Sequence, residues 1–159
     1  STNKQGQPMA RCDIREVSES ELQALLSLYA HLHADDAPLP SAALVQAVWQ
    51  EMLRDDRHVC LGGYVDGQLI ASCAVTVIPN LTRGCQPYAL VENVVTHAGH
   101  RGQGHGKAVL QEALRRCWAR GCYKAMLMTG RKDASTLQFY ASAGFDGDDK
   151  RAFIARPPG

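Results

Sequence analysis

Apolar residues recur along this chain with two different spacings, and the switches between them mark out the elements. Leu22, Leu25, Leu26, Tyr29 and Leu32 fall three and four residues apart, which is the stripe of an amphipathic helix. Ser18 followed by Glu21 has the spacing of a capping box, so this helix should run to about His33, after a short strand over 11–16. The segment ADDAPLP at 34–40 interrupts it with two prolines and two aspartates. Ser41 is then placed to cap a second helix carrying Leu44, Val45, Val48, Trp49 and Met52.

Residues 58–65 and 69–78 read as strands, and the Asp66-Gly67 between them favours a tight antiparallel hairpin. A loop over 79–87 leads to a strand at 88–96, a glycine-rich turn at 99–106 and a helix at 107–120. That helix puts Val109, Leu110, Ala113, Leu114 and Cys117 on one face and stops at Gly121. Residues 122–129 form a near-continuous apolar strand, and a strand, helix, strand crossover makes it parallel to 88–96. A short helix at 134–143 and a polar hairpin into a strand near 151–155 complete the pattern. The expected fold is a mixed α/β single domain over 11–159, with a central mixed sheet of about six to seven strands and helices on both faces. The polar residues 1–10 read as a disordered or added end.

Composition narrows the function. The chain has 159 residues, 45% of them hydrophobic and 21% charged, which suits one soluble globular domain. With 17 basic against 16 acidic side chains, no global field exists to hold nucleic acid or an anionic membrane. No apolar run reaches the length of a membrane span, and the polar start lacks a signal-peptide core. The six cysteines form no CxxC or zinc-ligand spacing, so they read as reduced structural thiols of a cytoplasmic protein.

Any anion site must therefore be local, and one segment offers it: Arg101-Gly102-Gln103-Gly104-His105-Gly106-Lys107, directly between a strand and a helix. Glycines at alternate positions let backbone N–H groups converge, and the helix N-terminus adds about half a positive charge. Such a turn cradles phosphate. A Walker loop would need glycine at 101 and Ser or Thr at 108, where the chain has Arg101 and Ala108; a Rossmann GxGxxG fails at Lys107.

The pattern Arg-x-x-Gly-x-Gly, followed later by Gln138-Phe139-Tyr140-Ala141-Ser142-Ala143-Gly144-Phe145, resembles the GNAT superfamily of N-acetyltransferases. The resemblance covers most of 11–156 and implies that residues 101–107 wrap the pyrophosphate of coenzyme A, with acetyl-CoA as donor. It further implies that main-chain groups of Val94, Val95 and Thr96 pair with the pantetheine arm and polarise the acyl carbonyl. Many members carry an asparagine seven residues before the tyrosine to contact CoA. Here that position is Asp133, whose charge would repel phosphate, with Ser135 nearby as an alternative contact.

Thioester aminolysis needs an uncharged amine, and freeing a lysine-like amine at pH 7 costs roughly 4 to 5 kcal/mol without a base. Glu92, midway along the strand before the glycine turn, resembles the family's strand glutamate and is the candidate base. Strand alternation would place Glu92, Val94 and Thr96 on one face and Asn93 and Val95 on the other. Tyr140 resembles the family's thiolate-protonating tyrosine.

Other features carry less. His97, His100 and His105 crowd the turn without acidic or cysteine partners at ligand spacing, so no metal is expected; His31 and His33 read as rim residues. Asp35 and Asp36 could meet a cationic amine, and Arg83 an anionic group on the acceptor. The segments Glu92-Asn93-Val94-Val95 and Cys122-Tyr123-Lys124 are similar to glucosamine-phosphate N-acetyltransferases, which makes an amino-sugar phosphate a candidate acceptor. The leading reading is acetyl transfer to a primary amine of a small molecule by direct transfer. Beside it stand acetylation of a protein or peptide amine and a non-catalytic acyl-CoA-binding module. Members of the family are often dimers, which implies a homodimer.

Overall fold

The computed structural model describes residues 11–159 together with Thr2, Gln5 and Gly6, so the reading of residues 1–10 falls largely outside the described residues. Among the described residues, five strands form one sheet in the order β1-β2-β3-β4-β5: β1 (Asp13–Glu16), β2 (His58–Val65), β3 (Gln68–Ile78), β4 (Tyr88–Thr96) and β5 (Ala125–Leu127). β1 to β4 pair antiparallel, and β5 runs parallel to β4. The β2–β3 turn has positive φ at both Asp66 and Gly67, the geometry whose twist matches a tight hairpin.

Strand alternation divides the apolar residues between two cores. On one face Leu61, Cys73, Val75 and Val91 pack beneath Val109, Leu110, Ala113 and Cys117 of α3 (His105–Ala119). On the other, Cys60 and Ala74 meet Leu25 of α1 (Leu22–Tyr29) and Trp49 of α2 (Ala42–Arg54). The buried Trp49 ring keeps its polar edge satisfied, since Nε1 donates to the Glu19 main-chain oxygen at 3.0 Å. The last helix, α4 (Ala134–Ser142), follows β5 on the α3 side, where Phe139 and Tyr140 pack against the core beneath α3.

Several expectations are corrected. The sheet has five strands, not six or seven, because residues 151–155 pair with nothing among the described residues and stay exposed. The strand expected over 122–129 shortens to three residues, since β5 pairs only where β4 runs beside it, at Ala89–Val91. Helix α1 ends at Tyr29, four residues early, as the chain turns toward the prolines. Leu44 and Val48 of α2 are exposed, so its inward stripe narrows to the buried Trp49 flanked by the half-buried Val45 and Met52. No helix among the described residues is long and apolar enough to cross a membrane.

Candidate active site

β4 and β5 part company after Val91 and Leu127. Into the wedge between them opens a cleft of about 840 Å³, whose walls come from β4, the turn before α3, the chain after β5, α4 and the segment after α1. The divergence leaves main-chain groups of β4 beyond Val91 without a ladder partner on the β5 side.

A bulge sharpens this geometry. Ser72 pairs with Val95 and Ala74 with Glu92, so the single residue Cys73 faces both Asn93 and Val94. Asn93 takes up the extra length with φ of 53°, and the alternation slips by one. Glu92 therefore shares the α1 face with its partner Ala74, whereas Val94 packs into the core beneath α3 and Thr96 touches Gly106 of α3. The expectation that Glu92, Val94 and Thr96 share a face is overturned by this one inserted residue.

The glycine turn divides its labour. Gly102 and Gly104 hold positive φ, 76° and 84°, which side-chain-bearing residues adopt at a cost. Gly106 lies against β4 and Phe139, leaving no room for a Cβ. Gly104 is the N-cap of α3, and no side chain caps it. The first N–H groups of the helix therefore lack intrahelical acceptors where the turn lines the cleft. An anion is what that arrangement accepts. Lys107 lines the same wall.

Two residues of the turn do other work. Arg101 turns its guanidinium to protein: Nε donates to the Thr96 oxygen at 3.2 Å and Nη2 to the His31 oxygen at 3.0 Å. Gln103 stands off the cleft wall, its Oε1 paired with Nε2 of buried His105 at 3.2 Å.

Glu92 and Tyr140 both line the cleft. Partial burial pushes the Tyr140 phenol up; Arg131 works against this shift and the Glu92 charge adds to it. Asp133 is consumed as the N-cap of α4. Its Oδ2 accepts from Thr136 N at 3.1 Å, Thr136 Oγ1 at 2.9 Å and Ser135 Oγ at 2.7 Å, while Oδ1 accepts from Arg131 Nε at 3.1 Å. These bonds, those from Ser135 and Thr136 foremost, hold its carboxyl well below the usual carboxylate range.

Not every candidate gathers here. Arg83 sits away from the cleft, over the Tyr123 ring at 5.8 Å, and neither Asp35 nor Asp36 lines the cleft. The rings of His97, His100 and His105 follow one another at 5.5 and 6.2 Å, and among the described residues no three His, Cys, Asp or Glu side chains gather as a metal site. His31, which the sequence placed at a rim, lines the cleft, and so does Arg131, which sequence reasoning missed. The available signal for Arg131 was its place just after a parallel strand, where open α/β sheets bind ligands.

The chain and its fold have counterparts among known proteins. The model of the Acetyltransferase (GNAT) family matches residues 22–145. A glucosamine 6-phosphate N-acetyltransferase of Trypanosoma brucei brucei is 27% identical over 139 residues, which is 87% of this chain and 92% of that protein. A solved structure from Agrobacterium tumefaciens, provisionally called an acetyltransferase, is 35% identical with a TM-score of 0.85, covering 91% of this chain and 99% of that one. The Arabidopsis thaliana glucosamine-6-phosphate N-acetyltransferase shares the fold, with a TM-score of 0.78 at 21% identity over 92% of this chain and 98% of that one.

The chain belongs to the GNAT acetyltransferase family. It is an enzyme of acyl transfer, an N-acetyltransferase, on the mixed α/β fold of that family.

Proposed function

We propose that this enzyme moves an acetyl group from acetyl-CoA to a primary amine of a small molecule by direct transfer. The observation that carries the reading is that the uncapped start of α3 opens onto the same cleft as Glu92 and Tyr140. The residues present fit the donor: Gly102 and Gly104 give the turn its shape, Lys107 adds a positive charge, and β4 beyond Val91 offers main-chain groups to an extended arm.

Acetyl-CoA supplies an acetyl group activated as a thioester. Glu92, exposed on the cleft wall, takes the proton from the incoming amine, directly or through one water. A main-chain N–H among Val94, Val95 and Thr96 stabilises the negative charge developing on the acyl oxygen, a contribution of about 3 kcal/mol in comparable sites. The Tyr140 hydroxyl, protonated at neutral pH as phenols are, gives its proton to the departing sulfur.

Direct transfer is favoured because no cysteine lines the cleft. Burial pushes the core thiols up, Cys60 and Cys117 to about 11 and Cys73 to about 12, so none is a ready thiolate. Amino-sugar phosphates are the first acceptors to test, since the Trypanosoma relative is named for one. We place the enzyme in the cytoplasm as a homodimer; the exposed Phe153 and Ile154 of the C-terminal segment support a contact between copies.

The deciding experiment measures thiol release from acetyl-CoA across small amines, glucosamine 6-phosphate and peptide amines. Release with small amines is expected. Release only with peptides would move the acceptor class to proteins, and tight donor binding without release to any amine would point to a non-catalytic binding module.

A further inference from the structure

His31 follows α1, where the chain turns away toward α2, and it grips the turn after β4 at two points. Its main-chain oxygen accepts from Arg101 Nη2 at 3.0 Å, and its ring Nδ1 accepts from the Ala98 main-chain N–H at 3.2 Å. Arg101 Nε reaches the Thr96 oxygen at 3.2 Å. The segment after α1, the end of β4 and the phosphate-binding turn are thereby clasped in one network. Beside it, the His97 ring lies 4.1 Å from that of His31, and its Nδ1 accepts from Gly99 N–H at 2.9 Å.

An imidazole nitrogen accepts a hydrogen bond only when it carries no proton. The Ala98 contact therefore requires neutral His31 with its hydrogen on Nε2. We propose that His31 is a positioning residue for acetyl-CoA: as a neutral ring it fixes the cofactor turn to α1, and protonation releases the turn, so donor affinity falls as the pH drops. The inference rests on the acetyl-CoA reading above and names the device that shapes its site.

The surroundings agree on the sign. The groups acting on the His31 ring are His97 and Arg101, with His100 edge-on to His97 and His105 beyond that; none of them is acidic. Desolvation first, then the proximity of His97 and Arg101, hold His31 below its ordinary value of 6.5. A histidine lowered in this way leaves the clasp at full strength above 6.5 and weakens it as the pH falls from there through the lowered value.

The test compares the full chain with His31→Asn and His31→Ala by calorimetry with acetyl-CoA at about pH 8 and about pH 5.5. Asparagine offers a non-titrating oxygen near the place of Nδ1. It should keep the wild-type affinity at the higher pH within about twofold, whereas alanine should bind about five- to tenfold more weakly than asparagine at both. Relative to His31→Asn, the wild-type chain should weaken on acidification, by up to about five- to tenfold once the ring is fully protonated; the ligand's own phosphate titration cancels in that ratio. Nitrogen NMR of the ligand-free protein should find the His31 hydrogen on Nε2 and a midpoint below 6.5. Equal pH dependence in wild type and His31→Asn, or a hydrogen on Nδ1, would overturn the inference. No binding by the wild-type chain at the higher pH would overturn the donor reading itself, and this inference with it.

Discussion

A Cβ placed on Gly106 would lie 2.8 Å from Thr96 Oγ1 and 3.1 Å from the Phe139 ring. The first turn of α3 thus meets both the end of β4 and α4 at van der Waals limit, with a hydrogen atom as the spacer. Gly106→Ala should lower thermal stability, with overpacking of this kind costing about 1 to 3 kcal/mol. Because the same contact sets the height of the helix start above the cleft, acetyl-CoA affinity should fall with it. Differential scanning calorimetry and a donor titration check the two effects separately.

Tyr140→Phe removes one hydroxyl from the cleft and keeps the ring that packs beside Phe139 and Phe145. Turnover should drop by roughly ten- to a hundredfold with acetyl-CoA affinity unchanged, as expected for a proton donor that acts in the transition state. An unchanged kcat would take Tyr140 out of the mechanism.

Glu92→Gln is isosteric and leaves the β4 ladder to β3 in place. At saturating donor, kcat should fall by at least about tenfold. Single-turnover kinetics with a pre-bound donor separate this loss from any change in acceptor binding.

Acid stability should report on a group far from the cleft. Glu21 accepts from Arg15 Nη1 at 2.7 Å, Ser18 N at 2.9 Å and Tyr64 Oη at 3.0 Å. These bonds, Arg15's foremost, pull its carboxyl from 4.5 to about 2. A lowered carboxylate stabilises the fold in full above its unfolded value and ceases to do so as the pH falls through the folded one. The melting temperature should therefore decline between pH 4.5 and 2, and Glu21→Gln should flatten that decline while lowering stability near neutrality.

Much of the architecture was legible because it follows from local chemistry. Asp66-Gly67 dictated its hairpin, β4 spans 88–96 as expected, and the glycines of the turn stand at the start of a helix. The Ser18 box formed in part: Glu21 reaches back to the Ser18 N–H, though the Ser18 hydroxyl donates to Glu21. What escaped was set by distant partners. The bulge at Asn93 depends on register with Ser72 and Ala74 across the sheet, so asparagine's tolerance of positive φ permits the bulge without fixing its place. β5 shortened because β4 veers from it, a property of the pair. The apolar run at 151–155 has strand character but nothing among the described residues to pair with. In the site, Arg101 lines the cleft and also donates to two carbonyls that nothing in the sequence pointed to, while the role of His31 was invisible because its partner lies 67 residues away.

The early parting of β4 from β5 has a bearing on how such an enzyme can diversify. Amide hydrogens and carbonyls left bare along that edge belong to the polypeptide itself, so they persist whatever side chain evolution installs there. Drift in sequence can then reshape the walls for new acceptors while the polar lining stays in place. Proline alone, which carries no amide hydrogen, would strip a donor from this edge, and that makes it the replacement least compatible with catalysis between 92 and 96.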